Sequence, residues 1–185
     1  MKLILSICSL ALLLGASSLQ AGDHDPKVII PLLKDAKMSL LEGIAYGEKM
    51  SGPVTSAKYE VEDGKLLLSI YTVPEGLGVE PEKATLTELG GDASQSPFKP
   101  SVEVFTDKEH LTRASVHMTL FQLSPYSLKQ IVGFALKKVP GTPIDVRNPM
   151  VRNRRAVADV IIADAKEEAH SVTVDLLTGA TCVNP

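Results

Sequence analysis

A candidate metal site lies where the chain leaves an apolar first segment. Gly22, Asp23 and His24 follow Ala21, after which a signal peptidase cut is expected. A cut there would leave a free amine, two deprotonated amides and an imidazole, a square-planar nitrogen set that suits Cu(II) or Ni(II). The alternative is a polar tail with an incidental histidine, and Leu19, a mediocre residue three positions before the cut, supports that alternative.

The other histidines are less suited to chemistry. His110 and His117 lie on a predicted helix and share a face, but seven residues at 1.5 Å each separate them by about 10 Å along the axis. One metal ion cannot take both directly, so the sequence predicts surface histidines. His170 follows Glu167 and Glu168 in a predicted loop, and we assign it no role as a base.

Four arginines surround a predicted hairpin turn: Arg147, Arg152, Arg154 and Arg155. Planar guanidinium groups bind carboxylates and phosphates, so one interpretation is a docking patch for an acidic partner or an anionic surface. The other interpretation is a solvated hairpin tip whose charges discourage pairing between sheet edges. This cluster is the strongest candidate for a partner-binding surface in the sequence.

Motifs of catalysis are missing from the sequence. It contains no G-x-S-x-G, no H-E-x-x-H, no paired cysteines at metal spacing and no phosphate-binding glycine loop. Cys8 lies in the apolar first segment, so Cys182 would be the one cysteine of the mature chain and no internal disulfide is expected. The sequence therefore predicts a protein that is not an enzyme and needs no cofactor.

The first 21 residues have the composition of a secretory signal. They carry one charged residue, Lys2, an apolar run from Leu3 to Leu14 and then small residues. The run is shorter than the roughly 20 apolar residues that span a bilayer, so we expect cleavage, no membrane span in the mature chain, and a periplasmic or secreted protein. Loss of Lys2 takes the formal net charge from −3 to −4, which argues against a nucleic-acid partner.

A first folding unit is predicted to open with a helix at Ser39. Ser39 and Glu42 fit a capping box, in which each side chain satisfies a free backbone N–H, and Gly52 is suited to end the helix. An alternating segment then turns at Asp63-Gly64, a pair that favours a tight hairpin. The predicted strands are 57–62, 66–72 and 84–89.

A second unit repeats this order. Ser127 and Gln130 open another helix, whose apolar residues follow helical spacing until Pro140-Gly141. Strands are predicted at 157–163 and 172–176. Short apolar lead-ins at 28–33 and 120–123 are predicted to be helical, and Asp107 is a predicted N-cap for a helix through Met118.

The two serines lie 88 positions apart, and capping residues, helix end and strand order agree between the copies. We therefore predict an α+β fold made of two tandem copies of a helix packed on a small antiparallel sheet. The expected boundaries are a signal peptide at 1–21, repeats at 24–91 and 112–185, and a linker at 92–111. Units this small favour binding over catalysis.

The segments Ser39–Ala45, Val54–Lys65 and Val172–Gly179 resemble the PepSY family, small exported or membrane-tethered domains of bacterial protease propeptides and free-standing periplasmic proteins. They are similar to the helix start, the hairpin and the closing strand of that family. The second hairpin has Asn153-Arg154 where the family often has a glycine-containing turn. The resemblance implies a non-catalytic role, inhibitory or chaperone-like, towards an extracytoplasmic partner such as a peptidase, and it supplies no catalytic residues.

Overall fold

The structure is a computed structural model that describes residues 24–80, 83–147 and 149–184. The predicted signal segment at 1–21 and two predicted metal ligands, Gly22 and Asp23, lie outside the described residues. Within the described ranges, no helix has the length and apolar character needed to cross a membrane.

The described residues form four α-helices and one 3-10 helix. The α-helices are α1 (Pro26–Ile29), α2 (Leu40–Met50), α3 (Lys108–Leu123) and α4 (Leu128–Lys138). The 3-10 helix, Ile30–Asp35, directly follows α1. The lead-in predicted at 28–33 is therefore helical, and the one predicted at 120–123 is the last turn of α3.

Nine strands form one antiparallel sheet with the order β4-β3-β2-β1-β5-β7-β8-β9, and β6 pairs with β7 outside this path. Their bounds are β1 Val54–Glu62, β2 Lys65–Thr72, β3 Leu86–Asp92, β4 Ser101–Phe105, β5 Thr142–Val146, β6 Met150–Arg152, β7 Arg155–Ala163, β8 Ala169–Asp175 and β9 Thr181–Val183. The predicted α+β class is confirmed. Strands β1 and β5 are neighbours in the middle of the sheet, with β2, β3 and β4 on one side and β7, β8 and β9 on the other. The duplication of the folding unit stays a prediction.

Both predicted helix starts are confirmed in atomic detail. The backbone N–H of Ser39 donates to Glu42 Oε2 at 2.8 Å, and the N–H of Glu42 donates to Ser39 Oγ at 3.3 Å. Ser127 and Gln130 make the equivalent pair at 2.9 and 3.3 Å. Asp107 caps α3 as predicted, because its side chain accepts from the first backbone N–H groups of that helix.

The structure adds strands that the sequence pattern did not predict. The segment predicted as a linker, 92–111, contains β4, which pairs with β3 along its length, and also the first turn of α3. Strand β5 contains Pro143 and pairs with β7 through an irregularity between Pro143 and Asp145. Proline lacks the N–H that a regular ladder uses, and such an irregularity accommodates it.

The main apolar core lies between one face of the sheet and helices α2 and α4. Leu68 and Ile70 of β2 point to α2, where a Cβ added to Gly43 would meet Leu68 Cδ2 at 2.5 Å. Ile131 and Val132 of α4 are fully buried in the same cluster. Aliphatic side chains dominate this core, as expected for a chain without tryptophan.

The opposite face of the sheet carries polar side chains on β1 and β2, and α3 covers part of it through contacts with β1, β3 and β6. Side chains alternate along a strand, so the residues between the core positions point to this second face: Ser56, Lys58 and Glu60 on β1, and Ser69 and Tyr71 on β2. The register agrees, since Ser56 pairs with Tyr71 and Lys58 with Ser69. We call this surface the polar face.

Candidate functional site

A cleft of about 420 Å³ lies between α3 and the polar face, and we call it the α3 cleft. Its floor includes Ser56, Lys58 and Tyr71 from β1 and β2. The pairing of β1 with β5 puts Asp145 beside Lys58, which adds a carboxyl group to the same floor. The cleft therefore collects side chains from strands that are far apart in the sequence.

Helix α3 forms the roof of the cleft through its spacing. Arg113 follows His110 by three residues and His117 follows it by seven, so the three side chains share one face of α3. All three line the cleft. The Asp107 cap fixes the start of α3 and bonds His110 as well, with Nδ1 of the ring 2.5 Å from Oδ2. The His110 ring stacks on Phe105 with 4.1 Å between centroids.

His117 is buried, which contradicts the sequence-based prediction of a surface histidine. Only 6% of the residue is exposed, and Nδ1 has no hydrogen-bond partner among the described residues. Burial, together with the positive charge of Arg113, lowers the pKa of His117 to about 4. Its ring is therefore neutral at physiological pH.

His24 reaches the edge of the α3 cleft. Its Nδ1 lies 3.4 Å from Glu60 Oε2, and its Nε2 lies 3.3 Å from Lys58 Nζ. Glu60 also bonds Lys58 at 3.1 Å and accepts from Ser69 Oγ at 2.5 Å. The Cu(II) or Ni(II) site of Gly22, Asp23 and His24 stays a prediction, since two of its three residues lie outside the described ranges.

Arg147 stands at the cleft with its guanidinium Nε 3.1 Å from Asp145 Oδ2. Burial raises the pKa of Asp145, while the hydrogen bond and charge of Arg147 act in the opposite direction. The ionised form of Asp145 therefore depends on Arg147. Of the four arginines predicted as one patch, this one borders the α3 cleft.

The other three arginines lie on the hairpin of β6 and β7. Arg152 and Arg155 border a second cavity of about 450 Å³, whereas Arg154 is exposed in the turn. Arg152 is bound to Asp159, and Arg155 Nη1 lies 4.0 Å from Asp175 Oδ2. The structure thus distributes the predicted patch over two cavities and a turn, and a partner-binding role for it stays a prediction.

A further cluster of possible metal ligands is accounted for by its own hydrogen bonds. Asp164, Glu168 and His170 each bring one possible ligand atom within 4.8 Å of the others. Asp164 already accepts from the backbone N–H of Lys166 and Glu168 and lies 2.9 Å from His170 Nε2, so the group closes the turn between β7 and β8. Cys182 is an exposed free thiol on β9.

Sequence reasoning found several residues of the α3 cleft singly but did not bring them together. Sequence patterns place His24, the pair His110 and His117, and Arg147 in three separate candidate groups, and they give no signal for Lys58 or Asp145. The helical spacing of residues 110, 113 and 117 was the one signal available for the roof. On the floor, Lys58 and Asp145 are neighbours because β1 pairs with β5, although the two residues are about 90 positions apart in the sequence.

No family model and no curated protein matches this chain. Among solved structures, the chain is similar to a crystal structure from Clostridium difficile 630 described as that of a "putative lipoprotein". The identity is 15%, the TM-score is 0.42, and the match covers 80% of this chain and 93% of the other.

Proposed function

We propose that this protein is an exported, non-catalytic binding module of the PepSY type, which modulates or shields an extracytoplasmic protein. A peptidase is the first candidate for that partner. The predicted signal segment, the missing catalytic motifs and the PepSY resemblance support the proposal. The observation that carries it is the free edge of β4.

Strand β4 pairs with β3 on one side only, among the residues that the structure describes. Its outward N–H and C=O groups are a template on which a strand of another protein can add. Val102 and Val104 share one face of β4 and are 64% and 54% exposed. Exposed valines on an edge favour strand addition, because a partner strand would cover them.

The other face of β4 indicates the charge of the partner. Glu103 pairs directly with Glu88 of β3, and like charges in that position repel each other. A partner strand with lysine or arginine next to Glu103 would relieve this repulsion. We therefore propose a partner segment with alternating apolar and basic residues.

Site-specific crosslinking in the native envelope tests the proposal. A photoreactive amino acid at Val102 should give a discrete adduct, whereas the same residue at Leu177, which is 50% exposed in a turn, should not. Purification of the adduct identifies the partner. If it is a peptidase, its cleavage of a peptide substrate should change when the mature chain is added.

Lysine substitutions supply the matched control. Lysine blunts a sheet edge, so Val104→Lys should abolish the adduct formed at Val102. Val116→Lys, at a 49% exposed position on α3, should leave the adduct unchanged. An adduct that survives Val104→Lys, or that forms equally at Leu177, would contradict binding at the β4 edge.

A further inference from the structure

The two halves of helix α3 are attached to the protein in different ways. We infer that the N-terminal half, residues 108–117, is a pH-sensitive lid, which lies on the polar face at neutral pH and moves away from it in acid when His117 takes up a proton. The inference does not depend on the proposed partner of the β4 edge. The packing of α3, the cavity beneath it and the burial of His117 lead to it.

The apolar contacts of α3 are concentrated in its C-terminal half. Leu120 and Phe121 belong to the main apolar core, and Met118 is buried in a small separate cluster. In residues 108–117, all of which the structure describes, Ala114 is the one buried apolar side chain. Burial of apolar area is the main force that holds a helix on a sheet. Moving the N-terminal half away therefore costs less than moving the C-terminal half.

The N-terminal half spans the α3 cleft and does not fill it. The side chains that it directs to the cleft, His110, Arg113 and His117, are polar, and a cavity of about 420 Å³ separates them from the strands below. Side chains that border a cavity lack contact partners on one side. The stack of the His110 ring on Phe105 is the aromatic contact of this half. The half is thus positioned without a packed apolar layer beneath it.

His117 is the group that resists a charge while α3 is in place. The residue is 6% exposed, and its Nδ1 is closed to solvent and has no hydrogen-bond partner among the described residues. An imidazolium carries a proton on both ring nitrogens, so the charged ring would hold a buried N–H without an acceptor. Burying a charge in this way is costly. His117 can therefore become charged at low cost only when this half of α3 moves towards water.

The other groups around the cleft do not supply a partner for a charged His117. The titratable and charged ones that line it are His110 and Arg113 on α3, Lys58 on β1, Tyr71 on β2, Asp145 and Arg147 at the end of β5, and His24 ahead of α1. Strands β3 and β6, which also contact α3, bring the uncharged Leu86 and Met150. The cations are already paired, Lys58 with Glu60, Arg113 with Glu109 and Arg147 with Asp145. The charge of Arg113 also opposes a proton on His117.

The direction of the pH effect follows from these surroundings. With α3 in place the pKa of His117 is about 4, whereas a histidine in water has a pKa of about 6.5. The moved state therefore binds the proton more tightly, and acid favours it. Between about pH 7.5 and about pH 5 the ratio of moved to closed molecules should rise at least about tenfold.

Thiol labelling of a buried position on each helix measures the movement. In a Cys182→Ser background, Ala114→Cys reports on the lid and Ala135→Cys of α4 is the matched control, since both alanines are fully buried. A pyridyl disulfide labels each thiol, and the rate is divided by that of the urea-unfolded chain at the same pH. We expect the normalised rate at Ala114→Cys to exceed that at Ala135→Cys at least about tenfold, and to rise at least about tenfold between about pH 7.5 and about pH 5.

Two histidine variants identify the group responsible. His117→Gln cannot be charged and should remove the acid increase at Ala114→Cys, whereas His170→Gln, at the end of the turn between β7 and β8, should keep it. Circular dichroism checks that each variant is folded. If Ala114→Cys does not fold, amide hydrogen exchange of the original chain gives the same comparison between residues 112–117 and strand β7.

Three results would overturn the inference. Equal normalised rates at the two cysteine positions would mean that α3 leaves the sheet only when the whole chain unfolds. An unchanged rate at Ala114→Cys between the two pH values would remove the pH sensitivity. An acid increase that persists in His117→Gln would show that another group drives the movement.

Discussion

The guanidinium of Arg152 binds the carboxylate of Asp159 through two hydrogen bonds, from Nη1 to Oδ1 at 3.1 Å and from Nη2 to Oδ2 at 2.6 Å. Thr173 Oγ1 donates a third bond to Oδ1 at 2.5 Å. Asp159 is 3% exposed. Burial opposes its charged form, but the bonds from Arg152 and Thr173 outweigh burial, and the pKa of Asp159 lies below its usual value.

We expect Arg152→Gln to lower the free energy of unfolding at neutral pH, because it leaves a buried carboxylate short of partners. A carboxyl group whose pKa is lowered by folding stabilises the folded state at pH values above its pKa in the unfolded chain, about 3.9. That stabilisation is lost as the pH falls through its lower pKa in the folded chain. The difference between the original chain and the variant should therefore shrink in acid. Urea unfolding across this pH range measures it, and an equal difference at every pH would contradict the assignment.

The depressed pKa of His117 predicts a second pH effect of known sign. Below about 6.5 the unfolded chain takes up a proton on this histidine, while the folded chain does not until about pH 4. Stability should therefore fall as pH drops from about 6.5 towards 4, by up to about 1.4 kcal/mol per unit. The positive charge of Arg113 acts on His117. The other charged or titratable groups that line the same cleft are Lys58, Asp145, Arg147, His24 and His110.

The His117→Gln variant tests this effect, since it removes the titrating ring and should flatten that part of the stability curve. The ¹H NMR signals of the four histidine rings, recorded against pH, give an independent measurement. A His117 signal that titrates near 6.5 in the folded protein would disprove the predicted depression of the pKa.

Two glycines in helices should respond in opposite ways to alanine. A Cβ at Gly47 of α2 would lie 2.7 Å from Ile70 Cγ2 and 2.9 Å from Val54 Cγ2, whereas a Cβ at Gly133 of α4 has no atom within 4 Å. Alanine raises helix propensity by about 1 kcal/mol at either site. We expect Gly133→Ala to gain that amount and Gly47→Ala to lose about 1 kcal/mol through crowding. Thermal and urea unfolding of both variants compare them, and a stabilised Gly47→Ala would contradict the packing.

The turn between β6 and β7 uses two residues in the left-handed region, Asn153 at φ 51° and Arg154 at φ 64°. Glycine tolerates this conformation without the steric cost that arginine has. Arg154→Gly should therefore raise the free energy of unfolding by about 0.5 kcal/mol, after allowance for the greater freedom of glycine in the unfolded chain. Asn153 is left intact, so the Asn-Gly turn formed is the one that hairpins prefer. Chemical denaturation detects the change, and a loss of stability would show that the Arg154 side chain contributes.

Local signals in the sequence predicted the helix starts and the first hairpin well. Ser39 with Glu42 and Ser127 with Gln130 satisfy backbone groups within one turn of helix, and Asp63-Gly64 needs no distant residue to form its turn. Strand β4 was missed because its alternation, Val102-Glu103-Val104, is short, follows a linker-like segment and belongs to exposed side chains. Strand β5 was missed because Pro143 argues against a regular strand.

The α3 cleft could not be assembled from local patterns. His117 is buried because α3 lies on the polar face, and nothing in the residues around position 117 specifies that placement. Lys58 and Asp145 meet through the pairing of β1 with β5, which is a contact between the two predicted units. The chemistry of the cleft therefore depends on the tertiary arrangement.

One apolar cluster includes Ile44 and Leu68 from the first predicted unit and Ile131 and Val160 from the second. In the part of the chain that the structure describes, strand pairing between the two units is limited to the short contact of β1 with β5. During synthesis, a chain that has left the ribosome only as far as β4 has nothing to cover Ile44 and Leu68 on the side of α4. We expect such a nascent half to remain sensitive to proteases until β7 has emerged and the interior closes in a single step.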